Sequence, residues 1–287
     1  MDNKRANYLM AAIMFLLSLI MLFPFFLMVM TSLKTMGEVQ STTFTLFPKH
    51  LMFINYMEAM AHGDWGRYFF NSFFVTAVTV GISLIINSMA GFAFARLHFR
   101  GRDTLFVIAL IGMMVPPQVT MIPLFIILKN FPLVGGNDIL GQGGMGFVNT
   151  YMGMILPYIA GAFGVFLFRQ FYLNFPSSLD DAAAIDGLNK FQTFIKIYVP
   201  LGKPIFATLT VFKATSTWCE YAWPLVITNN DVMKTVQLAL TVFKDESTIV
   251  WNQMMAATTL TTLPLIIVFI LAQRYFVEGI VTTGMKQ

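Results

Sequence analysis

The chain has 287 residues, 57% of them hydrophobic and only 11% charged, with a formal net charge of +4; its mean hydropathy is +0.70. Charge this sparse cannot cover the surface of a soluble chain of that length, so the composition points to an integral membrane protein. A single cysteine, Cys219, excludes an internal disulfide and any cysteine-based metal site.

Six stretches are long enough to cross a bilayer, which takes roughly 20 residues of helix. They are 8–32, 68–95, 104–128, 147–168, 204–229 and 250–273, so the expected fold class is all-α with six transmembrane helices. The first follows Lys4 and Arg5 and has the look of a signal peptide. Its apolar run is too long for one, and Thr31-Ser32-Leu33-Lys34 offers no small-residue cleavage site, so it is expected to stay in the membrane. Pro24, Pro116, Pro117, Pro157, Pro224 and Pro264 lie inside the spans, where neighbouring helices can satisfy the carbonyls they free.

Residues 33–67 form an outer segment with Trp65, partly helical, read either as a packed interfacial loop or as a surface for a partner. Residues 96–103 form a tight basic turn, read first as an anchor on the inner side and second as a partner contact. Residues 135–146 contain G-x-G-x-x-G at Gly141, Gly143 and Gly146, but no strand precedes them and they fall on the outer side. They are expected to be a flexible outer loop. With the N-terminus inside, the inner segments hold eleven Lys and Arg and the outer segments six, which places both termini and residues 180–204 in the cytoplasm.

Residues 180–204 are a polar island between apolar stretches. Ser177 and Asp180 have capping-box spacing for a short helix from Leu179 to Asp186, whose Ala182, Ala183 and Ala184 present little bulk. Gly187 would end it at positive φ, and Asn189 would cap a second helix with Phe191, Phe194, Ile195 and Tyr198 at helical spacing. Pro200 and Pro204 then lead into the fifth span. That span carries ionisable side chains, Lys213 and Glu220, two helical turns apart on one face but beyond direct hydrogen-bonding reach unless both extend. A central Lys costs about 2.5–3.5 kcal/mol on insertion scales, so Lys213 should face protein or water. It is read either as pairing with a neighbouring span or partner chain or snorkelling toward the cytoplasm, or as lining a cavity that favours an acidic solute. Trp218, Tyr221, Trp223 and Pro224 make a bulky, kinked segment, read as an interfacial anchor or as a stacking surface.

Asp181-Ala182-Ala183, Gly187, Ile197 and Pro200 together resemble the EAA loop of ATP-binding-cassette importer permeases, with Asp181 where that pattern has Glu and Val199 where it usually has Leu. Asn71-Ser72, the run from Ala95 to Arg102, that from Trp218 to Leu225 and that from Gln273 to Gly279 are similar to the carbohydrate-importer branch, on its maltose-permease second-subunit side. The resemblance implies a type I importer permease fold. It divides the chain into a first helix and outer segment (1–67), a five-helix core (68–278) with the coupling loop at 177–203, and a cytoplasmic tail (279–287). Asp181, Ala182, Ala183, Asp186 and Gly187 would couple to ATPase subunits, while Lys213, Trp218 and Glu220 are substrate-path candidates, Lys213 for an acidic carbohydrate such as a uronate-containing oligosaccharide or a sugar phosphate and Trp218 for stacking on a sugar face. The implied partners are a second, homologous permease, two copies of a cytoplasmic ATPase, a substrate-binding protein and a carbohydrate. The implied setting is a bacterial or archaeal inner or plasma membrane.

The chain itself is expected to be no enzyme and to hold no cofactor, ATP and magnesium being bound by the ATPase partners. It has no G-x-x-x-x-G-K-[ST], since Gly202-Lys203 is followed by Pro204, and its histidines (His50, His62, His98) sit in or beside loops. Two other classes compete: an ion-coupled secondary transporter, which would need midplane acidic residues or related halves, and a membrane enzyme, which would need a catalytic cluster.

Overall fold

The computed structural model describes residues 2–244 and 249–284, with side chains for 7–244, 249–271 and 273. Regular structure among these residues is helical, apart from an isolated antiparallel bridge between Lys244 and Ile249. The chain divides into two units, Met1–Trp65 with Ala239–Leu263, and Gly66–Leu238 with Pro264–Gln287.

In the first unit α1 (Asp2–Ser32) is one helix with a mean hydropathy of 2.7 in its most apolar stretch, none of which is buried. Thr35 caps the short α2 (Met36–Gln40) in a capping box with Glu38. Glu38 also accepts the N–H of Lys49 at 2.8 Å, and the backbone bonds from Lys49 and Thr35 hold its carboxyl below the usual range. In α3 (Ile54–Ala61) the buried Asn55 donates to the carbonyls of Ser32 (2.7 Å) and Lys34 (2.9 Å). Its own oxygen accepts from Asn252 at 3.0 Å. One amide thus satisfies carbonyls orphaned at the end of α1 and ties them to the C-terminal helix.

The second unit is organised along α4 (Trp65–Arg96), a single helix with a mean hydropathy of 2.0. After it the expected spans are broken. α5 (Arg102–Gly112) and α6 (Pro117–Lys129) meet at 101°, because Pro116 has no N–H to give and the residue before each proline is pushed out of the helical region. α7 (Tyr151–Ile155), prolonged by a tight turn over Leu156–Tyr158, meets α8 (Ala162–Leu173) at 44° across an extended Gly161. α9 (Ser178–Ile185) and α10 (Lys190–Thr193) follow, then a π turn over Phe194–Tyr198 and α11 (Val199–Leu201). The stretch Lys190–Leu201 meets α12 (Lys203–Trp218) at 77° around Gly202. α12 itself stops at Cys219, and α13 (Ala222–Ile227) starts after a break, so the expected fifth span 204–229 is two helices. α14 (Val236–Ala239) and α15 (Trp251–Gly284) complete the chain. The tail expected over 279–287 is helical as far as Gly284, and residues 285–287 lie outside the described residues. Among the described residues, three helices are long and apolar enough to cross a membrane singly, and up to six spans result if each bent pair is one.

Two cores are seen among the described residues of this unit. One, near the start of α4, joins Val75, Leu128, Met154, Ile155, Trp223 and Ile227. The other, near its end, joins Phe92, Phe168, Tyr172, Phe194, Tyr198 and Leu209. In the second, ring centroids of Phe92–Tyr198, Tyr172–Tyr198 and Phe168–Phe206 lie 4.9, 5.3 and 4.7 Å apart edge to face, contacts worth about 0.5–1.5 kcal/mol each. α4 and α8 touch closely here: a Cβ on Gly91 would lie 2.4 Å from the Phe168 Cβ, which only glycine avoids.

The 135–146 loop is not loose. Asn137 donates to the carbonyls of Lys129 (2.8 Å) and Phe131 (3.0 Å) and accepts from Gly144, while Asp138 accepts the N–H groups of Leu140 and Gln142. The flexible loop expected from its glycines is therefore a pinned one, because its two polar side chains replace the backbone bonds a helix would have made.

Candidate functional site

The 180–204 loop divides its small residues between two faces. Ala183 is 1% exposed and packs into the chain itself, whereas Ala182 and Ala184 are exposed and Ile185 is 86% exposed. Asp181 and Asp186 also face solvent, and neither forms an ion pair among the described residues. Gly187 ends α9 at φ +73°, where an L side chain costs roughly 1–2 kcal/mol. Its neighbour Leu188 donates to the carbonyl of Ala183 at 2.9 Å, the six-to-one bond of a Schellman ending. Asn189 caps the next helix in a full capping box with Gln192. The loop is thus two helical pieces with a hard corner between them, and Phe194 and Tyr198 are turned inward.

The expected capping box at Ser177 is absent. Ser177 is itself helical in backbone and makes no side-chain cap. The Asp180 carboxylate is engaged elsewhere: it accepts from the Tyr198 hydroxyl at 2.9 Å and pairs with Arg96 at 3.4 Å. Arg96, the last residue of α4, also donates to the carbonyls of Tyr172 (2.6 Å) and Phe175 at the end of α8. A cation is favoured there by the helix dipole and by orphan carbonyls.

Lys213, Glu220 and Trp218 lie at the breaks of the fourth and fifth spans. Lys213 donates its Nζ to the carbonyl of Tyr158 at 2.9 Å, supplying a cation to the end of α7. Glu220, which lies near the Tyr158 side chain, accepts the N–H of Trp223 at 3.1 Å at the start of α13. Trp223 in turn donates its indole N–H to Gly153 at 2.9 Å. Lys213 and Glu220 therefore both sit beside Tyr158 and form no ion pair with each other among the described residues. Asn87, fully buried in α4, accepts the N–H of Gly161 at 3.1 Å and so serves the other side of the same break. Trp218 is 3% exposed and packs on Phe73 at 4.9 Å, which places it inside the chain, away from both a lipid interface and an open cavity. Cys219, beside it, is exposed.

Residues 87–282 match the family model of the binding-protein-dependent transport system inner membrane component. The chain belongs to that family. This permease is 32% identical over 274 residues to the arabinooligosaccharides transport system permease protein of Bacillus subtilis, covering 94% of this chain and 92% of that one. It is 31% identical to the lactose transport system permease protein of Rhizobium radiobacter (93% and 92% covered) and 31% identical to the sn-glycerol-3-phosphate transport system permease protein of Agrobacterium fabrum (98% and 99% covered). Its fold matches a chain in the crystal structure of a bacterial ABC transporter involved in the import of the acidic polysaccharide alginate, with a TM-score of 0.77 at 23% identity, covering 96% and 98%.

The permease is accordingly a non-catalytic, multi-span subunit, and the ion-coupled transporter and membrane-enzyme alternatives fall away. The residues that sequence reasoning passed over are Arg96, Tyr198, Tyr158 and Asn87. Arg96 reads in sequence as one more inner-side cation, and its signal was its place as the last residue before a helix-ending turn. Asn87, a polar side chain deep in an apolar span, carries the same kind of signal, since such a group is kept only where it has partners. Tyr198 reads in sequence only as one of the periodic residues of the second loop helix, and Tyr158 carries no comparable mark.

Proposed function

We propose that this chain is one of two permease subunits of an ATP-driven, binding-protein-dependent carbohydrate importer, working with a second permease, two ATPase copies and an extracytoplasmic binding protein. Both termini and the 180–204 loop lie in the cytoplasm of a bacterial or archaeal cell, and α9 carries the movement of the ATPases into the spans. The observation that carries this reading is the outward face of α9. Ile185, 86% exposed between small Ala182 and Ala184 and a glycine-ended corner, is a single apolar knob on a low-bulk surface, shaped for a close protein socket.

The test is purification of the chain with its co-expressed operon partners, followed by uptake in proteoliposomes. An ATPase is expected to co-purify, and uptake of labelled arabinotriose, lactose or a triuronate should require internal ATP. Uptake driven by an ion gradient without ATP defeats the proposal. Ile185→Glu should keep the chain in the membrane but lose the co-purifying ATPase.

A preference for an acidic sugar rests on Lys213. One of its three N–H bonds is spent on the Tyr158 carbonyl, which leaves two for a carboxylate. The names of the relatives divide between neutral and anionic cargo, so they favour neither. Lys213→Met should reduce triuronate uptake far more than lactose uptake; an equal loss of both assigns Lys213 to holding the helix break alone.

A further inference from the structure

Residues 174–177, between α8 and α9, belong to neither helix. On its own this link would let α9 pivot, so a push on Ile185 would dissipate before reaching the spans. A second connection bypasses it. Asp180 turns inward in the first turn of α9, while Asp181 and Asp186 face solvent. Its carboxylate meets Arg96 at 3.4 Å and Tyr198 at 2.9 Å. The Arg96 guanidinium lies 5.4 Å from the Tyr198 ring centroid and donates to the carbonyls of Tyr172 and Phe175. The ends of α4 and α8, the start of α9 and the π turn before α12 therefore converge on one guanidinium. Both charged side chains are largely shielded, 11% and 20% exposed, so water competes weakly for the pair.

The contact is also not saturated. Arg96 and Asp180 meet through one nitrogen and one oxygen, and neither Nε of Arg96 nor Oδ1 of Asp180 has a hydrogen-bond partner among the described residues. We infer that Arg96 is a positioning residue for transport, a clamp that makes α9 and the inner ends of α4 and α8 move as one body. This deepens the coupling role proposed for the loop and rests on it.

The test uses the assembled importer in proteoliposomes, with labelled arabinotriose, lactose and a triuronate as probes, and reads substrate moved per ATP hydrolysed. Three variants are compared with wild type: Asp180→Asn, which removes the charge; Tyr198→Phe, which removes only the hydroxyl; and Arg96→Lys, which keeps the charge but loses the fork. ATP hydrolysis and the co-purifying ATPase should persist in all three. The transport-to-ATP ratio should fall about 5-fold or more in Asp180→Asn, the low end of measured coupling effects, with a smaller fall in the other two. An unchanged ratio in Asp180→Asn and Tyr198→Phe overturns the inference, as does reduced assembly with a normal ratio in what assembles. Wild type that moves substrate without ATP would instead overturn the loop's coupling role, a result distinct from either.

Discussion

At the scale of the residue, the alanines of α9 do different work although they are adjacent. Ala183 is packed inside the chain, so Ala183→Trp forces a large ring into a closed contact, at a cost of about 1–3 kcal/mol or more. It should lower the yield of folded chain in detergent, measured by size-exclusion chromatography. Ala182→Trp adds the same bulk to an exposed position. It should leave that yield unchanged and abolish ATPase co-purification. If both variants behave alike, the two-faced reading of α9 is wrong. Asp181, exposed and unpaired among the described residues, is a candidate for charge contact with the partner, so Asp181→Lys should impair transport more than Asp181→Asn. Gly187 and Asn189 were legible in the sequence because helix stops and caps are written within four residues of where they act. Asp180 was misread for the complementary reason: its spacing from Ser177 suggested a cap, but its partners stand 84 residues before it and 18 after it. Local signals cannot weigh an arginine that the fold brings in from another helix.

At the scale of the element, the spans were legible as apolar stretches and their breaks were only hinted at. Pro116-Pro117 and Pro157 mark where a helix is weakened, but the same residues in a membrane can produce a mild kink or a 101° turn, and neighbouring groups decide which. At the fourth span those groups are Lys213, which takes the Tyr158 carbonyl, and Asn87, which takes the Gly161 N–H. Asn87→Leu should leave that N–H unsatisfied, costing about 1–3 kcal/mol, and lower the melting temperature of the purified chain. Asn87→Asp keeps an acceptor there and should lose less stability than the leucine. The contact of α4 with α8 at Gly91 makes a sharper prediction. Gly91→Ala places a Cβ 2.4 Å from that of Phe168 and 3.0 Å from the backbone nitrogen of Arg169, so the helices must separate. A fall in folded yield is expected, and wild-type yield would show that the two helices are not held at this distance.

At the scale of the whole molecule, exposed hydrocarbon side chains coexist with the packed cores of the second unit. α1 exposes Leu9, Phe15, Met21 and Phe25 at 65, 67, 74 and 52%. Lipid tails match such a surface no worse than another helix does, so exposure alone does not select a protein partner there. The orientation is testable directly. A membrane-impermeant amine reagent, with sites mapped by mass spectrometry, should modify exposed Lys190, Lys196 and Lys203 only in inverted vesicles, and exposed Lys49 only in right-side-out ones. The reverse pattern would place the loop outside the cell and remove it from any contact with ATPases.

The break between α12 and α13 has a practical consequence. Its exposed thiol, Cys219, is the chain's sole cysteine, and it precedes Glu220 directly. The wild-type chain therefore carries a native reporter beside Glu220, whose carboxylate holds the start of α13. A fluorophore or spin label placed there needs no background mutagenesis, and its signal through the ATP cycle would record whether this break opens and closes as substrate passes.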